Sequence, residues 1–182
     1  MQVIQTDISG CVILEPNVVG DSRGYFMESY NQRTFDQAVG AAVRFVQDNQ
    51  SFSTRGVVRG LHYQTGEFAQ AKLVRVIQGE VLDVAVDIRP GSSTFGRHVA
   101  VRLSAENNRQ LFVPRGFAHG FSVLSESAVF AYKCDNFYNR EAEGGIRFDC
   151  PDLAIDWMIA DVPLVSDKDL DLPNLQNARP AW

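Results

Sequence analysis

Three histidines, His62, His98 and His119, are the side chains here best suited to moving a proton near neutral pH, since a free imidazole titrates at about 6.5. One common metal centre of β-strand proteins uses two histidines one residue apart, plus a carboxylate and a third histidine. Position 64, where a second ligand would follow His62, holds Gln64, so no metal is expected. Cys11, Cys134 and Cys150 are widely spaced and form no Cys-x-x-Cys pair, which predicts reduced thiols and neither a zinc site nor a disulfide framework.

His62 lies in Arg59-Gly60-Leu61-His62-Tyr63-Gln64. A histidine alone in a strand is more often a packed core residue than a catalyst. Cations nearby change the weighing, because Arg59 and Lys72 fall on runs that otherwise read as core. A buried cation without a partner is costly, so cations on an inner face imply an anionic ligand or a carboxylate. If both point outward they are simply solvated, and for Arg59 the pattern leaves both readings open. Arg59 and His62 differ in strand parity, so a bend at Gly60 is needed to aim both inward. Three further clusters are polar where strands are expected: Asp21-Ser22-Arg23-Gly24, Gln47-Asp48-Asn49-Gln50-Ser51, and Pro114 to Phe121 with His119 between two glycines. Each taken alone is explained by turn chemistry.

The elements that must position these groups read mostly as short strands. Residues 72–78 and 80–88 flank Gly79, the expected turn of a hairpin. In the second run Leu82, Val84, Val86 and Ile88 share one face and Asp83 and Asp87 the other, which predicts a half-buried antiparallel strand. Val99, Val101 and Leu103 alternate over 97–103, and runs at 110–114, 117–124 and 128–135 continue the series. Evenly spaced strands with Gly/Pro turns point to a sandwich or barrel. Asn31 is placed to cap a short helix through Arg33, Phe35, Ala38 and Val39 that Gly40 stops. Pro151, Pro163, Pro173 and Pro180 suit turns and loops packed over the β core. With no repeat or linker, residues 1–182 read as one domain.

Hydrophobic residues make up 45% and charged ones 21%, the balance of a folded chain and not of a disordered one. A net charge of -5 excludes a broad nucleic-acid footprint, although a few converging arginines can still hold an anionic small molecule. Met1 to Gly10 has no apolar signal-peptide core and no stretch approaches the length of a membrane span. A soluble, cytoplasmic protein is expected.

The clusters occur in a definite order. Asp21-x-Arg23-Gly24-x-Phe26, Gln47-Asp48-Asn49, Arg59 to Gln64, and Gln70-Ala71-Lys72-Leu73-Val74-Arg75-Val76 come first. Asp83 to Arg89, Pro114-x-Gly116-Phe117-Ala118-His119-Gly120-Phe121, Tyr132-Lys133 and Ser166-x-Lys168-Asp169 follow. Each block is weakly specific, but the ordered set, spanning roughly residues 5 to 175, resembles the dTDP-4-dehydrorhamnose 3,5-epimerase family. The departures, Thr-Gly-Glu-Phe-Ala at 65–69 and Met158 after Trp157, fall where close relatives are expected to carry prolines.

The resemblance implies a mainly β, jelly-roll, cupin-like antiparallel sandwich with a few short helices. It also implies a cofactor-independent isomerase that inverts carbons 3 and 5 of dTDP-4-dehydro-6-deoxy-D-glucose in dTDP-rhamnose biosynthesis. Both carbons flank a 4-keto group, so their protons become removable once a base is aligned and the enolate oxygen stabilised. His62 matches the family's base and Asp169 its orienting carboxylate. Lys72 matches the cation near the keto oxygen, a stabilisation typically worth about 3 kcal/mol per donor. Tyr132 matches the acid that returns a proton from the opposite face. Arg23, Arg59, His119 and Lys168 would hold the diphosphate and sugar, arginine suiting phosphate by its fork geometry. Glu28, Gln47, Asp48 and Asn49 would read polar edges of nucleotide and sugar, and Phe26 and Tyr138 would stack on thymine. Glu143 matches a further substrate contact. The resemblance also implies a homodimer in which the segment with Arg23, Phe26 and Glu28 reaches the neighbouring site. Two other readings stand beside this one: a related nucleotide 4-keto-6-deoxy sugar epimerase acting at one carbon, and a non-catalytic nucleotide-sugar-binding cupin.

Overall fold

The structure, a computed structural model, describes Met1–Trp182 as two antiparallel sheets packed face to face. The six-stranded sheet runs β1 (Gln2–Gln5), β2 (Val12–Glu15), β10 (Gln110–Val113), β7 (Lys72–Gln78), β12 (Ser127–Cys134), β5 (Gln47–Thr54). The five-stranded sheet runs β13 (Glu143–Gly145), β6 (Val58–Gln64), β11 (Phe117–Val123), β8 (Glu80–Asp87), β9 (His98–Ser104). A separate hairpin, β3 (Val18–Asp21) and β4 (Gly24–Met27), turns at Ser22 and Arg23. The jelly-roll expectation holds.

Gly79 is not a hairpin turn. β7 and β8 lie in different sheets, and Gly79 is the corner where the chain crosses between them. Its φ of +80° and the Ser127 carbonyl 2.0 Å from an ideal Cβ leave room only for glycine. Nor is β8 half-buried. Leu82, Val84, Val86 and Ile88 pack under the C-terminal loops with Ile146, Leu153 and Trp157, while Val81 and Ala85 on the other face join the core between the sheets. Asp83 and Asp87 are therefore buried and need partners. Asp87 finds them in Arg89, Ser92 and Thr94.

The short helix α1 (Gln32–Val39) forms as its ends direct. The Asn31 side chain accepts from the Arg33 and Thr34 amides, and Gly40 ends it in the left-handed conformation. It packs Phe35 against Phe112, Leu14 and Leu73 on the outer face of the six-stranded sheet. A second helix, α2 (Asp167–Leu170), is a single turn capped by Ser166, and it brings Asp169 to β6. No helix is long and apolar enough to cross a membrane.

Candidate active site

The question left by strand parity is answered at Gly60. Along the β6–β11 pair His119 lies opposite His62, but Phe121 lies opposite Arg59, so three steps on β6 match two on β11. This bulge carries Arg59 and His62 to the same cavity. Gly60 has φ +126°, and an ideal Cβ there would stand 2.7 Å from the Gly120 Cα. A Cβ on Gly120 would likewise stand 2.6 Å from the Arg59 carbonyl oxygen. The two glycines let the strands close up at the bulge.

Two contiguous cavities, of about 410 and 300 Å³, open between the sheets and share Asn49, His62, Lys72 and Tyr132. His62 comes from the five-stranded sheet, and Lys72 and Tyr132 from the six-stranded one, so base and phenol approach from opposing walls. His62 Nε2 is 2.7 Å from Asp169 Oδ1, and Asp169 Oδ2 accepts from the Gly60 amide at 3.1 Å. Burial pushes the Asp169 pKa up, but the bonds and charge of His62, then Gly60 and Ser166, outweigh it and leave the carboxyl below its usual range. With Nε2 engaged by the carboxylate, Nδ1 is the nitrogen left to take a proton. Burial holds the Tyr132 phenol above its ordinary pKa, which keeps its proton available for donation. Burial lowers the Lys72 pKa, the expected effect on an ammonium drawn out of water.

Arg59 donates to Ser53 Oγ at 3.0 Å and reaches the Phe52 carbonyl, so its charge is left for a ligand. His119 bonds Asp83 Oδ1 at 2.9 Å and leans on the Phe121–Phe130 stack at the cavity floor. At the mouth, Lys168 bonds Glu143 at 2.7 Å and Glu143 bonds the Tyr138 hydroxyl at 3.3 Å. Gln47 accepts from the Tyr138 amide and donates to Asn49, which completes a polar rim with one exposed aromatic ring. No three His, Cys, Asp or Glu side chains gather as a metal site. Gln64, at the would-be ligand position, instead ties together the Phe68 and Phe137 carbonyls and the Asn139 amide.

Known proteins resemble this chain in sequence and in fold. The sequence model of dTDP-4-dehydrorhamnose 3,5-epimerase matches residues 5–177. The chain is 57% identical over 171 residues to the dTDP-4-dehydrorhamnose 3,5-epimerase of Shigella flexneri, covering 94% of each. It belongs to the dTDP-4-dehydrorhamnose 3,5-epimerase family. Its fold superposes with a TM-score of 0.93 on the crystal structure of that epimerase from Elizabethkingia anophelis NUHP1, at 53% identity and 97% coverage of both. It matches the dTDP-6-deoxy-D-glucose-3,5-epimerase of Legionella pneumophila Philadelphia 1, solved with dTDP-4-keto-L-rhamnose, with a TM-score of 0.94 at 50% identity, covering 97% of this chain and 93% of that one.

Against the residues the family resemblance singled out, the structure gathers most but not all. His62, Lys72, Tyr132, Asp169, Arg59, His119, Asn49 and Lys168 line one cavity, and Gln47, Tyr138 and Glu143 line the adjoining one. Asp48 is on the other face of β5, paired with Lys133 at 2.9 Å, because alternate residues of a strand face opposite ways. Arg23, Phe26 and Glu28 line neither cavity of their own chain, and Phe26 is 75% exposed on the free hairpin. Sequence reasoning passed over Ser53, which holds Arg59, the Phe121–Phe130 floor, and Asp83 as the partner of His119.

Proposed function

We propose that this epimerase inverts carbons 3 and 5 of dTDP-4-dehydro-6-deoxy-D-glucose to give dTDP-4-dehydro-L-rhamnose. The observation that carries the reading is the placement of His62 and Tyr132 on opposing walls of one cavity, with the Lys72 ammonium between the sheets beside them. His62 Nδ1 takes the proton next to the keto group, and the imidazolium is stabilised by Asp169. The keto oxygen becomes an enolate held by Lys72, and Tyr132 returns a proton from the other wall. Arg59 and Lys168 hold the diphosphate. The rim of Gln47, Asn49, Glu143 and Tyr138 receives the nucleotide, Tyr138 offering its ring face to thymine.

The working unit on this reading is a homodimer in the cytoplasm. The β3–β4 hairpin leaves Val19, Tyr25 and Phe26 exposed, an apolar and aromatic surface of the kind enriched at interfaces. Arg23, Phe26 and Glu28 on it serve the partner's cavity, which supplies the missing reach of this chain's own site. The test is NMR of the nucleotide sugar in deuterated solvent. Wild-type protein labels carbons 3 and 5 and inverts both. Tyr132→Phe keeps the ring but lacks the acid, so deuterium enters without matching inversion. Equal loss of exchange and inversion in Tyr132→Phe refutes the two-sided assignment, and labelling at one carbon refutes the double inversion.

A further inference from the structure

One acid beneath the cavity is only half used. Asp83 stands in the row Val81–Asp83–Ala85 of β8, facing the core between the sheets, and is fully buried. Its Oδ1 pairs with His119, while its Oδ2 has no hydrogen-bond partner in the protein. A carboxylate oxygen buried in this way is costly unless another charge answers it. Lys72 forms no ion pair, its Nζ lying 5.8 Å from the centre of the Tyr132 ring. The unpartnered oxygen and the Lys72 ammonium, which has no carboxylate partner, both face the space between the two sheets, where charges act on each other far more strongly than in water.

We propose that Asp83 is a positioning residue for the reaction, holding His119 with one oxygen and keeping Lys72 charged through the other. The proposal rests on Lys72 being the cation that meets the enolate. The groups around Lys72 leave few other candidates for this role. β12 presents Tyr132 and Cys134, β6 presents His62 and Arg59, β11 presents His119, and α2 presents Lys168 and Asp169. β5 adds only uncharged Gln47 and Asn49, and β13 presents Glu143, a carboxylate already engaged by Lys168 and the Tyr138 hydroxyl. Arg59 and Lys168 repel a neighbouring ammonium, and Asp169 is already engaged by His62 and Gly60. Burial raises the Cys134 pKa and so keeps a neutral thiol there near neutral pH. Burial lowers the Lys72 pKa; Cys134 and then Asp83 oppose that fall, and with the thiol neutral Asp83 is the charged group left to do so.

The chain has only three lysines, Lys72, Lys133 and Lys168, so isotope-labelled lysine gives an NMR titration that can be read residue by residue. Asp83→Asn keeps the acceptor for His119 and removes the charge. The Lys72 midpoint is expected to fall by about one pH unit or more, since a nearby opposite charge typically shifts a pKa by 1–3. The alkaline limb of kcat should move down with it, and in Lys72→Arg, whose guanidinium stays charged, only the limb set by the Tyr132 phenol at higher pH should remain. An unchanged Lys72 midpoint in folded Asp83→Asn overturns the proposal. Should that variant not fold, carboxyl carbon-13 titration of the unmodified protein decides. An Asp83 signal inflecting at the Lys72 midpoint supports the proposal, and its failure to inflect there overturns it. The titrations need no substrate, so their failure is distinct from failure of the epimerase reading, which only turnover of the unmodified protein tests.

Discussion

Replacing Asp169 by asparagine removes a charge without changing shape, and it reverses the hydrogen-bond logic around His62. Asp169 now accepts twice, from His62 Nε2 at 2.7 Å and from the Gly60 amide at 3.1 Å. Asparagine has one oxygen to offer. Turned toward Gly60, its amide donates to Nε2 and pins the imidazole proton on Nδ1, the nitrogen that must receive the substrate proton. Turned toward His62, it sets one donor against the Gly60 N–H. Either way a general base is disabled or misaligned, at a cost of about 10²–10⁴ in rate. A buried donor left unpaired costs about 1–3 kcal/mol in stability.

The stability term carries a pH signature. Because the folded pKa of Asp169 lies below its ordinary value, its contribution is present above the unfolded carboxylate's pKa. That contribution is lost as pH falls through the folded value. The wild-type advantage over Asp169→Asn should be full at neutral pH and should shrink on acidification. Denaturant melts at neutral and acid pH measure this, and loss of the carbon 3 and carbon 5 protons in deuterated solvent measures the base. Exchange within a few-fold of wild type in a folded Asp169→Asn would refute the role given to this pair.

Other outcomes follow from the same geometry. Gly60→Ala puts a Cβ 2.7 Å from the Gly120 Cα at φ +126°, so it should cost at least about 2 kcal/mol and most of the activity; a melting curve matching wild type refutes the bulge argument. Activity should survive exhaustive chelation, since Gln64 is committed to loop contacts; loss reversed by one specific divalent ion speaks against it. Light scattering should give a dimer, and Phe26→Ala should weaken substrate binding with little effect on folding; a fully active monomer of 20.2 kDa refutes the shared site.

The strands and the first helix were legible because local signals decide them. Asn31 and Gly40 bracket α1 in the sequence as they do in the fold, and the alternation of Val99, Val101 and Leu103 is that of a strand with one face on the core. What one strand's pattern omits is which sheet it joins. Gly79 looks the same at a hairpin turn and at a corner between sheets, and only the Ser127 carbonyl pressed against it distinguishes the two. The polar run of β5 reads as a strand only from its flanks. Its inward Gln47, Asn49 and Ser51 face a cavity instead of a dry core and Ser53 is spent on Arg59, so no apolar period announces it.

The residues of the site were legible as an ordered set of motifs, but their convergence was not legible in the residues themselves. Parity put Arg59 and His62 on opposite faces, and the bulge that reverses this needs Gly60 and Gly120 to meet across strands about sixty residues apart in sequence. Asp83 carries the stronger lesson. Read along its strand, it belonged to the polar face of a half-buried element. Yet its neighbours on that face, Val81 and Ala85, are apolar, and a solvated face has no need of them. An acid flanked by core residues on its own face is a buried acid, which requires a partner. Its His119 partner lies on the next strand, directly over the cavity that His62 and Tyr132 enclose. Pairing each buried charge with its answering group therefore extends the site one layer beyond the side chains that touch the cavity.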